Sequence, residues 1–160
     1  NSGTLYIGKP GEWIATVEHI ESVPNYAEFL AFKQSYIGAF LWSETDDSGN
    51  PLDSRFDQFD IARPGNEAIF SDCLAFWLEF NSLILGEFAP MIEYNDSDNT
   101  EGKRKAAQAG HDFYFTRQGH GVGFWEREWE KADPGGILDS AAKQFREFYT
   151  WINRGKVEIQ

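Results

Sequence analysis

GHDFYFTRQGHGVGFWER, residues 110–127, is the stretch on which the fold turns. It gathers four glycines, two of the three histidines and five aromatic side chains into eighteen residues. His111, Phe113, Phe115 and Arg117 alternate with Asp112, Tyr114 and Thr116. A period of two is the signature of a strand. Gly119, Gly121 and Gly123 follow, and glycines permit the positive φ of a tight reversal. Val122, Phe124 and Glu126 then alternate with Gly123, Trp125 and Arg127. The pattern predicts a β-hairpin over 111–127 with its turn at the glycines.

The flanking segments supply its partners. Tyr26, Phe29, Leu30, Ile37, Phe40 and Leu41 recur at helical spacing behind Asn25 and Glu28, which sit as a capping box. A second helix is predicted over about Asn66–Leu85, with Ile69, Cys73, Phe76, Trp77, Phe80 and Ile84 inward and Gly86 at its end. KRKAAQA, residues 103–109, suits a helical turn or two. A helix over 138–148 would bury Leu138, Ala141, Ala142 and Phe145, and 149–159 reads as a hairpin turning at Asn153–Gly155. TLYIG, residues 4–8, and the start of EWIATVEHI, residues 12–20, read as strands. Without βαβ alternation, the expected class is α+β: an antiparallel sheet of hairpins packed against two or three helices. One domain over 1–160 is expected, with 1–25 as an N-terminal extension and 26–160 as its core.

Charge divides the chain unevenly. Residues 1–100 hold 17 acidic and 4 basic side chains, and 101–160 hold 9 and 10, which together give the net −12. Glu44, Asp46, Asp47, Asp53, Asp57 and Asp60 form the densest patch, in a loop whose only cation is Arg55. Such a surface repels a bare phosphate backbone and attracts basic partners. EYNDSDNTEG, residues 93–102, reads as a second acidic loop. Neither loop fits the calcium-binding D-x-[DN]-x-[DN]-G pattern. The lone Cys73 rules out an internal disulfide and suits a reducing compartment. The chain has no run of 18 apolar residues, and a soluble cytoplasmic protein with no membrane contact is expected.

The histidines are the first candidates for chemistry. His111 and His120 would approach across the hairpin, but they match no zinc spacing, and His19 adds no third ligand. His111 and Asp112 would point to opposite strand faces, so they would not form a proton-relay pair there. The G-H-G-V-G run lacks the lysine and helix of a phosphate loop. No catalytic residue, metal ligand or cofactor is therefore assigned. Phe113, Phe115, Phe124 and Trp125 beside Arg117 and Arg127 would form an aromatic strand face of the kind that stacks single-stranded bases.

The same stretch resembles a motif, roughly G-H-D-F-x-x-T-R-x-x-H-G-x-G-F-W-[DE]-R, found in small, largely uncharacterised bacteriophage and plasmid proteins. Gly110, His111, Asp112, Phe113, Thr116, Arg117, His120, Gly121, Gly123, Phe124, Trp125, Glu126 and Arg127 carry it. LWSETDD, residues 41–47, is similar too, and the similarity spans about residues 26–160. The resemblance implies a mobile-element origin and brings no catalytic role. Charge and resemblance together point to a binding protein of a bacterial host's cytoplasm. It would inhibit a nucleic-acid-handling host protein or defence complex, by counter-defence, host takeover or DNA mimicry. His111, Asp112, Thr116, Arg117, His120, Trp125 and Arg127 would serve the hairpin motif. The alternatives are a single-strand nucleic-acid binder using the aromatic hairpin face and, third, a small metal-dependent enzyme.

Overall fold

The structure, a computed structural model, describes residues 4–7, 13–16, 22–92 and 99–160, with side chains from residue 22 onward. His19 and most of the second acidic loop lie outside the described residues. Strands β1 (Thr4–Ile7) and β2 (Trp13–Thr16) pair antiparallel, Thr4 opposite Thr16 and Ile7 opposite Trp13. Helices α1 (Tyr26–Ser43), α2 (Arg63–Ile84) and α3 (Glu101–Arg117) follow, then the short α4 (Ile137–Lys143). Strands β3 (Thr150–Asn153) and β4 (Lys156–Ile159) form a terminal antiparallel hairpin. The class is α+β, and helices dominate it.

The predicted hairpin at 111–127 does not exist: residues 101–117 are one continuous helix. Two periodicities compete in this segment. The aromatic alternation suits a strand, but Ala106, Ala109, Gly110, Phe113 and Arg117 also recur at steps of three and four, and all five are buried. Thr100 starts the helix by accepting the N–H of Lys103. The predicted glycine turn is its C-terminal cap. Gly119 has φ +71°, its N–H bonds the Thr116 carbonyl at 3.2 Å, and the N–H of His120 bonds the Phe115 carbonyl at 2.9 Å. These two bonds make a Schellman motif, and the His120 and Phe115 rings close it at 5.4 Å. Gly121 has no positive φ and open space around it, so it is not the turn glycine.

Helices α1 and α3 run side by side in the same direction. Gly102 faces Glu28, Gly110 faces Phe32, and the Tyr114 ring lies tilted against Phe40 at 6.1 Å. At Gly110 the backbones nearly touch: a Cβ there would overlap the Phe32 carbonyl oxygen. Ser35 Oγ also donates to the Ala107 carbonyl at 2.6 Å. Behind this contact the rings form the core. Phe113 stacks on Phe76 at 4.2 Å between centroids, with Phe32 and Phe124 continuing the pile. Cys73, Trp77 and Ile84 carry the expected stripe of α2 into the same cluster. Asn25 adopts a left-handed conformation, φ 53°, and its side chain makes no cap bond. Its carbonyl accepts the Phe29 N–H instead, so the expected capping box is absent.

The contact between α1 and α3 makes a testable prediction. Gly→Ala in a helix interior is worth about 1 kcal/mol in propensity. Gly38 in α1 has nothing within 4 Å of a built Cβ, so Gly38→Ala should raise the unfolding free energy by about that amount. Gly110→Ala gains the same propensity but must push the helix backbones apart. It should lose about 1–3 kcal/mol net by denaturant unfolding. Equal effects of the two substitutions would refute the close approach.

Candidate functional site

Most of the 110–127 motif is spent on structure. Asp112 is 4% exposed, and its Oδ2 accepts N–H bonds from Trp129 Nε1 at 2.7 Å and Gln108 Nε2 at 2.9 Å. Burial raises its pKa from the ordinary 3.8 to about 6, against the pull of those two bonds. Thr116 Oγ1 accepts the Phe124 N–H at 3.0 Å. It lies so close to Gly123, φ +152°, that a Cβ there would overlap it. Glu126 folds back to accept the Gly123 N–H at 3.1 Å. Phe113 and Phe124 are buried core rather than exposed strand faces, so the aromatic platform expected for stacking bases is not formed.

Arg117 is the centre of this construction. Its Nε donates to the Arg146 carbonyl at 3.0 Å and its Nη2 to the Phe145 carbonyl at 2.7 Å. Its Nη1 reaches the Tyr36 hydroxyl at 3.2 Å and Asp72 Oδ2 at 2.7 Å. The guanidinium also lies over the Phe145 and Phe148 rings. Gln118 next to it bonds both backbone groups of Phe148. Together they hold residues 145–148, which the sequence assigned to a longer helix, in an irregular turn with Arg146 at φ 60°. Helix α4 therefore ends at Lys143.

The histidines do not make a site. His111 is half-buried against the edge of Phe115, and burial lowers its pKa. His120 is exposed and rests on Tyr114 and Phe115. Among the described residues no three His, Cys, Asp or Glu side chains converge as metal ligands would. Trp125 and Arg127 are exposed, the indole by 58%.

The acidic loop is ordered by its own carboxylates. Asp46 Oδ1 accepts the N–H groups of Ser48 and Asn50 at 2.9 and 3.0 Å. Those bonds hold its pKa below the ordinary value, the Asn50 N–H first among them. Asp57 Oδ1 accepts the Phe59 N–H, and Asp60 Oδ2 accepts the Asp57 N–H, a reciprocal cap on the turn Gln58–Asp60. Glu44 receives the Tyr114 hydroxyl, which ties the loop to the end of α3. Glu44, Asp46 and Asp60 are thus half-buried, while Asp47, Asp53 and Asp57 project into solvent. Among the described residues Arg55, 4.0 Å from Asp46, makes the loop's only ion pair, and none comes from the basic tail. Beside the loop, a groove of about 430 Å³ has Ile37, Leu41 and Phe56 as its apolar lining and Asp53 and Asp57 as its acidic one.

Sequence reasoning missed Asp72, the ion-pair partner of Arg117. Its signal was a lone carboxylate inside the apolar run IFSDCLAFW, residues 69–77. Trp129, the donor to Asp112, was missed as well. No known family model, characterised protein or solved structure matches the chain. No helix among the described residues is long and apolar enough to cross a membrane.

Asp112 yields a pH prediction. Its folded pKa is raised, so between about pH 4 and 6 the native state keeps a proton that the unfolded chain releases. Its contribution is complete below about pH 4 and is lost as pH rises through about 6, by roughly 3 kcal/mol. Asp112→Asn keeps an acceptor for Trp129 without a charge to bury. The stability difference between the variant and the parent should therefore move in the variant's favour by about that amount from pH 4 to 7. A pH-independent difference would show that Asp112 is not the buried titrating group.

Proposed function

We propose that this chain is a bacteriophage- or plasmid-type protein that acts by binding. It offers the acidic loop Glu44–Asp60 to the positively charged groove of a nucleic-acid-handling host protein in the bacterial cytoplasm, and so inhibits it. One observation carries this reading: Asp47, Asp53 and Asp57 project from a loop fixed by its own backbone bonds, with no basic tail residue paired to them among the described residues. A prearranged set of charges loses little entropy on binding and steers a basic partner toward it. The adjoining groove suits the aliphatic stem of a lysine or arginine, with Asp53 and Asp57 at its head. The resemblance of residues 110–127 to mobile-element proteins agrees with a counter-defence or host-takeover role. On this reading the motif itself is scaffold.

Single-strand binding through an aromatic face has less support, because Phe113 and Phe124 are interior. An enzyme has less support still, since Asp112, His111 and Arg117 are occupied with packing and backbone bonds.

The test is affinity capture from host lysate with the parent chain and with an Asp47→Lys, Asp53→Lys, Asp57→Asn variant, the last substitution keeping the cap on the Phe59 N–H. A nucleic-acid-binding host protein should be retained by the parent, released by added duplex DNA, and lost at least tenfold with the variant. The melting temperature should change little, because Asp47→Lys and Asp53→Lys replace exposed side chains and Asp57→Asn keeps an acceptor for the Phe59 N–H. Capture that survives both the charge reversal and the duplex competitor would end the mimicry reading.

A further inference from the structure

A second cavity, independent of the acidic loop, lies where the first half of α2 meets the turn 145–148 and the chain's last strand. Its volume is about 390 Å³, and Pro64, Ala68, Ile69, Phe148 and Ile159 give it apolar walls. Asp72, Arg117 and Glu147 supply its charge. The three are not equally available. Arg117 has committed four of its five N–H groups, to the carbonyls of Phe145 and Arg146, the Tyr36 hydroxyl and Asp72 Oδ2. Asp72 has committed one oxygen only. Among the described residues its Oδ1 accepts no hydrogen bond, and the side chain keeps 29% of its surface. Glu147, exposed at the rim, has neither a hydrogen bond nor an ion pair among the described residues. Two carboxylates therefore face one cation whose donors are nearly all used, which leaves a net −1 within an apolar enclosure. An anion would meet Glu147 and find a single spare N–H. A purely apolar guest would leave Asp72 Oδ1 unsolvated, which is costly in such surroundings. A cation on an apolar body satisfies both demands.

We propose that this cavity is a binding site for a small organic cation, a protonated primary amine on a short apolar or aromatic body. The ammonium group pairs with Asp72 Oδ1 and Glu147, and the body lies against Ala68, Ile69 and Phe148. Burial already pushes the Asp72 carboxyl above the usual range even with Arg117 beside it, so an added positive charge there would be welcome.

Three probes of one shape, phenethylamine, 2-phenylethanol and 3-phenylpropionate, test this by calorimetric titration of the full chain. The amine is expected to bind with a dissociation constant of about 1 mM or lower, and the alcohol and carboxylate at least about tenfold more weakly. Glu147→Gln, on an exposed side chain, should weaken the amine about tenfold while leaving the circular dichroism and melting temperature unchanged. Ala68→Phe should fill the cavity and abolish binding in a folded protein. Asp72→Asn should also lose the amine, but it breaks the pair with Arg117, so the first two variants decide. Equal binding of amine and alcohol, preference for the carboxylate, or no amine binding up to about 10 mM would each overturn the proposal.

Discussion

The close approach of α1 and α3 at Gly110 governs the rest of the molecule. Two parallel helices ordinarily keep their axes some 8–10 Å apart, at a distance set by the side chains between them. Here Gly102, Ala106 and Gly110 remove the spacer, and the Phe32 carbonyl sits where a Cβ would be. Everything beyond that contact inherits its register. Tyr114 arrives at Glu44, and Arg117 arrives at Tyr36 and Asp72. Phe113 lies flat on Phe76. A wider pair would leave Arg117 short of both α1 and α2, and the turn 145–148 would lose the donors that hold it.

Much of this was legible in the sequence, and what was not has a definite cause. The first two helices announced themselves through long apolar stripes, and the terminal hairpin through an Asn-Arg-Gly turn between alternating residues. The segment 110–127 misled because every other member of an alternating series, such as Phe113 and Arg117, is also one helical turn from the next. Gly110 looked like a punctuation mark and is instead a contact with Phe32 on a helix far earlier in the chain, which no local pattern encodes. Gly119 looked like a hairpin glycine and is a helix cap, two roles with the same positive φ. Exposure of the acidic loop was readable from its composition. The division between carboxylates that bond their own backbone and those that project was not, since it depends on turn geometry at Asp46 and Asp57. Asp72 stood out only as a charge in an apolar run, and its partner is forty-five residues away.

Charge in this protein is used in two opposite ways. Arg117 and Asp112 are taken into the interior and consumed by hydrogen bonds, so removing either would leave buried partners unsatisfied. Asp47, Asp53 and Asp57 remain outside, on a loop that Asp46, Asp60 and Asp57 itself hold in shape. The protein thus combines interior charges engaged by hydrogen bonds with rim carboxylates that make no ion pair among the described residues.

Cys73 lies at the heart of α2 with no solvent-accessible surface, and burial pushes its thiol well above the usual range. It is the only sulfhydryl in the chain. An alkylating reagent can therefore reach it only when the helices separate, which makes the rate of its modification a built-in clock for opening of the core.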